Sequence, residues 1–250
     1  MGQKAKKGYL GWGCPPYRSR IIVDEERGFL YCPIPKAANT AWKAALLGAN
    51  LGANYTGDPQ KLHRRDAGFT YLSSVSEEKL AEIRDQLFKF IFVRDPYSRL
   101  LSAFKDKFEN ASTCSDRPGR DPFWLKYGAK LKQDVLVGGL AENNGADLTF
   151  NEFVRLVCRM VPATMNEHWH PQALLACVNE INYDFIGRFE RLAEDVPVAL
   201  ANLGLQSFPT REDLRWRPTR ALELVDTYYD AELREMVRQK YDIDFRTFNY

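Results

Sequence analysis

The sequence predicts an α/β fold with a parallel central sheet flanked by helices, and three observations lead there. Short apolar runs alternate with amphipathic stretches from about residue 28 onward, the order that builds a parallel sheet covered by helices. Two of the runs end in a polar loop that turns straight into a helix. The 250 residues are 45% hydrophobic and 27% charged, the make-up of a globular chain that buries roughly 70–75% of its unfolded surface. Residues 1–27 read as an N-terminal extension and 28–250 as a single domain.

The elements follow in order. Phe29–Ile34 is a first strand, and Asn39–Leu47 a helix with Trp42, Ala45 and Leu46 on one face and Gly48 past its end. Leu80, Ile83 and Leu87 mark a second helix, and Phe88–Val93 the next strand. That strand breaks at Arg94-Asp95-Pro96, where Asp95 is a natural N-cap and Pro96 a natural first helical residue. Tyr97, Leu100, Leu101, Phe104 and Phe108 then repeat at helical spacing as a core face, with Asp95, Arg99, Ser102 and Asp106 on the opposite side. Residues 109–148 are rich in Asp, Gly, Lys and Asn and read as a long excursion with short helices. Thr149 and Glu152 form a capping box that opens a helix to about Met160. Phe185–Phe189 is a further strand, followed by a helix carrying Leu192, Val196, Leu200 and Leu203 and closed by Gly204. Asp230–Tyr241 is helical.

Composition excludes several classes. The 35 Lys and Arg against 33 Asp and Glu leave a formal charge of +2, and no DNA- or RNA-binding motif is present, so nucleic acid is not an expected partner. The most apolar stretch, Leu87–Val93, falls far short of the roughly 18 residues of a membrane span. The basic start Met1–Lys7 lacks an apolar signal core, and Lys6 stands where a myristoylation motif needs Ser or Thr. Five cysteines, Cys14, Cys32, Cys114, Cys158 and Cys177, fit neither a disulfide framework nor a CxxC metal site. Reduced thiols in a cytosolic or otherwise soluble setting are the expectation, and no metal is.

Two segments carry chemistry. Pro35-Lys36-Ala37-Ala38-Asn39-Thr40-Ala41-Trp42-Lys43 lies between a strand and a helix. Free N–H groups at a helix start, a lysine and a hydroxyl make an anion cradle there. It lacks the glycines of GxxxxGK[ST], which disfavours an ordinary ATPase or GTPase. The second segment runs from Arg94 to Phe104, where Arg94 and Ser102 can meet one phosphate. In the plainer reading Arg94 pairs with Asp95 or Asp106, and Ser102 is exposed. Two anion-binding corners at successive strand ends suggest one ligand with phosphates at both ends.

These residues resemble the carbohydrate sulfotransferases of the chondroitin, dermatan and HNK-1 type. Pro35–Lys43 looks like that family's 5′-phosphosulfate loop, and Val93–Pro96 through Ser102–Phe108 looks like its 3′-phosphate motif. A third block, Asn166–Gln172 through Tyr183–Asp195, matches in order and spacing. The resemblance covers about residues 28–196. It implies a P-loop-NTPase-like fold that binds 3′-phosphoadenosine 5′-phosphosulfate (PAPS) and moves its sulfuryl group to a sugar hydroxyl, releasing PAP without a metal. Lys36 with Ala37, Ala38, Asn39 and Thr40 would then hold the 5′-phosphosulfate, and Arg94 and Ser102 the 3′-phosphate. Trp42 is either on the adenine side or in the core. Related enzymes are often Golgi membrane proteins, so a lumenal location is the alternative to the cytosol, although Cys177 lacks the neighbouring cysteine that the family pattern has.

Sulfuryl transfer needs Lys36 against the leaving phosphate and a base near the acceptor oxygen. Of the three histidines, His63, in the basic segment Lys61–Arg65, is the first choice and His168 the alternative; a zinc reading of His168 and His170 lacks further ligands. Arg64, Arg65, Lys105, Lys107, Arg117, Arg120, Lys126, Lys130 and Lys132, with Trp124 and Tyr127, could line a groove for a carbohydrate or other hydroxylated acceptor. Arg215, Arg217 and Arg220 could close over the nucleotide. Two rivals remain: a nucleotide-dependent phosphotransferase needing ATP and Mg²⁺, and a catalytically silent glycan- or nucleotide-binding module.

Overall fold

The structure, a computed structural model, describes residues 17–52, 55–109, 128–140, 148–210, 212–214 and 219–250. In chain order the strands are β1 (Ile22–Asp24), β2 (Phe29–Cys32), β3 (Phe88–Val93) and β4 (Phe185–Arg188). The helices are α1 (Asn39–Leu51), α2 (Glu77–Ile83), α3 (Pro96–Lys107), α4 (Ala129–Val137), α5 (Phe150–Arg159), α6 (Gln172–Leu175), α7 (Leu192–Leu203), α8 (Ala221–Tyr228), α9 (Ala231–Lys240) and α10 (Asp242–Phe248). The capping residues act as expected: Asp95 accepts from the Ser98 amide, and Thr149 and Glu152 close a complete capping box. Leu87 falls beyond α2, whose Ser76 cap starts it at Glu77.

The chain divides into two compact units, each discontinuous in sequence. The first holds the described residues up to Ile34, those of Ala38–Val93 and those of Ala173–Leu214. The second holds Pro35–Ala37, the described residues of Arg94–Gln172 and those from Thr219 onward.

The first unit carries the sheet, in the order β1-β2-β3-β4, with β1 antiparallel to β2 and the other pairs parallel. β1 corrects the expected boundary at residue 27, because Ile22 pairs with Tyr31 and the sheet begins inside the stretch read as an extension. Period-two alternation sends Phe29, Tyr31, Phe90 and Phe92 to one face. There they pack with Trp42 and Leu46 of α1 and Val196, Ala199 and Leu203 of α7. On the other face, the Cys32 thiol donates to the Leu175 carbonyl at 3.5 Å. Gly187, opposite Phe92, leaves room for that ring: a Cβ there would lie 2.4 Å from Phe92 Cε1.

The second unit is helical. Phe104 of α3, Phe108 just past its end, Phe153 of α5 and Trp169 meet in edge and tilted ring contacts, with Tyr229, just past α8, and Leu233 and Val237 of α9 adding to them. Lys132 of α4 forms a buried ion pair with Glu152 at 2.9 Å, so it is a structural cation and not part of a groove.

The thiols depart from expectation at one position. Cys32 and Cys158 are free, and burial pushes the Cys32 thiol up to about 12 and the Cys158 thiol up to about 11, leaving both inert. Cys177 is disulfide-bonded, which widely spaced, odd-numbered cysteines gave no reason to expect.

Candidate active site

The glycine-free loop after β2 adopts a shape that glycine usually supplies. Lys36 has φ 70° and Ala38 φ 59°, left-handed conformations that cost an L-residue roughly 1–2 kcal/mol and persist only when the surroundings impose them. For Lys36, in the second unit, two arginines supply such surroundings. Arg99 Nε donates to the Pro35 carbonyl at 3.0 Å, and Arg94 Nη1 to the Lys36 carbonyl at 3.2 Å. In a trans peptide the N–H points opposite to its C=O. Fixing these two carbonyls therefore turns the N–H groups of Lys36 and Ala37 away from the arginines, as an anion cradle requires.

Arg99 was missed as a functional residue, because its place on α3 gives no hint of its partners. It is 2% exposed and also donates to the carbonyls of His170 (2.8 Å) and Glu167 (2.9 Å). One guanidinium thus ties the loop to the turn at residues 166–170. Gln172 was likewise unassigned: it accepts from the Arg94 amide at 2.9 Å and donates to the Arg94 carbonyl at 2.8 Å. This reciprocal pair fixes the backbone where α3 is about to begin.

Lys36 Nζ lies 3.0 Å from Asp106 Oδ2, and Lys107 Nζ lies 2.9 Å from the same oxygen. Burial pushes the Lys36 amine below its ordinary range, with Asp106 opposing that shift. Burial also works against ionisation of Asp106, but the two ammonium groups outweigh it and hold the carboxyl well below the usual range. His168 shares this environment. Burial, with Lys107, Lys36 and Arg99, drives its ring well below the usual histidine range, so it is neutral at pH 7. Asn166 Oδ1 accepts from the His168 amide at 3.1 Å and from its ring Nδ1 at 2.7 Å, which leaves the Nε2 lone pair free of a proton.

Arg94 and Ser102 are both in this unit and both buried, at 3% and 1% exposure. Ser102 is not exposed as the plainer sequence reading has it; Arg94 Nε donates to Ser98 Oγ at 3.0 Å, and Asp106 pairs with Lys36 and Lys107. Ser102 Oγ lies 3.1 Å from Thr219 Oγ1, a second hydroxyl that sequence reasoning passed over. Arg220, beside it, caps α8 and pairs with Glu223 at 2.7 Å.

In the first unit, α1 starts at Asn39 with no side-chain cap and no acidic residue in its first turn, which leaves its positive end to an anion. Thr40 Oγ1 is 3.0 Å from His63 Nε2, so the loop hydroxyl and the preferred base are neighbours. Trp42 takes the core option: it is fully buried among Tyr31, Phe90, Phe92 and Phe208, with no ring face left for adenine. Lys43 is buried with its Nζ 5.9 Å from the centre of the Phe69 ring, and burial lowers its amine to about 8. Arg64 and Arg65 are exposed. Arg117, Arg120, Trp124, Lys126, Tyr127, Arg215 and Arg217 lie outside the described residues. Among the described residues no group of His, Cys, Asp or Glu could hold a metal ion, and no helix is long and apolar enough to cross a membrane.

Comparison with known proteins settles the family. A model described as the sulfotransferase family matches residues 19–250. The chain belongs to that family. It is 33% identical over 254 residues to carbohydrate sulfotransferase 14 of Danio rerio, covering 96% of this chain and 65% of that protein. It is 30% identical over 248 residues to carbohydrate sulfotransferase 11 of Rattus norvegicus (92% and 66%) and 29% identical over 246 residues to carbohydrate sulfotransferase 8 of Mus musculus (94% and 57%). The chain thus spans about two thirds or less of the length of these relatives. No solved structure matches it. For a sulfotransferase, the strand–loop–helix at residues 29–51 and the parallel β2-β3-β4 order are the P-loop-like arrangement that the sequence predicted.

Proposed function

We propose that this chain is a PAPS-dependent sulfotransferase acting on a hydroxyl of a carbohydrate, with a single sulfotransferase domain that takes in β1 and so begins before residue 28. The observation that carries the reading is the glycine-free loop whose carbonyls are held by Arg94 and Arg99, turning the Lys36 and Ala37 amides toward an anion, with the Lys36 ammonium held on Asp106. The family match and the printed names of the relatives support sulfuryl transfer to carbohydrate. The donor supplies an activated sulfuryl group. Lys36, Ala37, Ala38, Asn39 and Thr40 hold its 5′ end, and Arg94 and Ser102, the latter with Thr219, hold the 3′-phosphate.

His63 Nε2 takes the acceptor hydroxyl proton as the new S–O bond forms, and Lys36 balances the charge that gathers on the leaving phosphate as the old S–O bond breaks. His63 is preferred over His168 because its Nε2 lies 3.0 Å from the loop hydroxyl of Thr40. Burial and the cations around His168 oppose its protonation. The Cys177 disulfide supports an oxidising compartment such as the Golgi lumen over the cytosol.

Titration calorimetry with PAP, adenosine 5′-phosphosulfate, and ATP with Mg²⁺ tests this reading. Arg94→Ala is expected to weaken PAP about 30-fold or more, the worth of a charge-assisted contact, and adenosine 5′-phosphosulfate much less. The ratio of the two losses isolates the 3′-phosphate, since damage to the loop affects both ligands. Equal losses would remove Arg94 from that role, and preference for ATP with Mg²⁺ would favour a phosphotransferase. His63→Ala is expected to keep PAP affinity while PAP release with carbohydrate acceptors falls about 100-fold or more; unchanged turnover would move the base elsewhere.

A further inference from the structure

Asp106 is an anion placed inside an anion-binding site. Its Oδ2 touches Lys36 Nζ at 3.0 Å and Lys107 Nζ at 2.9 Å, and its side chain is one third exposed at the end of α3. A carboxylate there repels an incoming phosphosulfate, so its presence calls for a compensating role.

The groups facing Lys36 define that role. Lys107 lies on α3, Arg94 just before α3, and the neutral His168 in the turn at residues 166–170, with Arg99 also acting on that turn. Every charged group in this set except Asp106 is cationic. Burial and the neighbouring cations favour a neutral Lys36 amine, and Asp106 is the group that opposes them. A neutral amine could not balance charge on a leaving phosphate. A bound donor would itself keep the lysine charged; Asp106 does so without one.

We propose that Asp106 is a positioning residue that holds the Lys36 ammonium charged and aimed at the loop, and passes it to the donor's anionic oxygens on binding. This rests on the reading of Lys36 as the group that stabilises the leaving phosphate. Asp106 does not touch the reacting atoms; it acts through Lys36.

The test is the pH dependence of Lys36 acylation by trace acetic anhydride, read by mass spectrometry on the full chain. In Asp106→Asn the midpoint of Lys36 reactivity is expected to fall by about one pH unit or more, the usual effect of losing an adjacent opposite charge. Asp106→Glu should restore it. Lys107→Met should move the midpoint the other way, by removing a repelling cation and leaving Asp106 to Lys36 alone, and this variant serves if Asp106→Asn does not fold. The PAP affinity of Asp106→Asn should weaken at high pH, over a range where the wild type still binds. Coincident Lys36 midpoints in wild type and Asp106→Asn, or no rise in Lys107→Met, would overturn the proposal. Wild-type rates of transfer in Lys36→Ala would overturn the role of Lys36 itself and leave the labelling result standing, so the two failures are distinguishable.

Discussion

Lys36→Ala is expected to lower turnover about 1000-fold or more while leaving the fold intact, because a preorganised charge at the leaving group is worth several kcal/mol in a water-poor site. The side chain is largely buried and stands beside the loop amides freed by Arg94 and Arg99. Alanine keeps the backbone but leaves Asp106 facing the donor with Lys107 as its counter-ion. PAP affinity should therefore fall as well, though less than turnover, since the lost charge matters most in the transition state. Single-turnover rates at saturating donor, beside calorimetry with PAP, separate the two effects. A loss of turnover under about tenfold would place the compensating charge on another residue.

Arg99→Leu is expected to cost about 3–5 kcal/mol of stability, the range for removing one side of a buried, charge-assisted set of contacts. The carbonyls of Pro35, Glu167 and His170 would all lose the guanidinium in one substitution. Arg99→Lys should recover only part of this, because an ammonium on a flexible stem does not reproduce a planar fork that reaches three acceptors. Urea unfolding followed by circular dichroism measures the loss. The fraction still folded should also bind PAP weakly, since the Pro35 carbonyl is one of the two that orient the loop. A stability change below about 1 kcal/mol would mean that water replaces the guanidinium at these carbonyls.

Local rules carried much of the fold. Asp95-Pro96 and the Thr149–Glu152 box announced α3 and α5 because capping is written in adjacent residues. The apolar runs at Phe88–Val93 and Phe185–Arg188 announced β3 and β4 for the same reason. β1 was not visible: three residues are too few to show alternation, and its pairing with β2 is set by a turn at Asp24–Gly28. At the candidate site, Lys36, Arg94 and Ser102 stood out by their places in the chain, whereas Arg99, Gln172, Thr219 and the ion pair of Lys36 with Asp106 depend on contacts about 60 to 120 positions apart. Trp42 shows the opposite limit. Its helical face marked it as core, and only the motif resemblance suggested otherwise.

The left-handed Lys36 and Ala38 have a thermal consequence. A glycine-rich phosphate loop is easy to bend and loses much freedom when it is ordered, since glycine surrenders more backbone entropy than any other residue. Between Pro35 and Lys43 this chain has no glycine, so its unfolded state has fewer conformers to give up. The burden of the unusual shape falls on steric strain, which changes little with temperature, where a glycine loop carries it as entropy, which grows in weight on warming. The cradle should therefore keep its order over a wider span of temperature than a glycine loop of equal length.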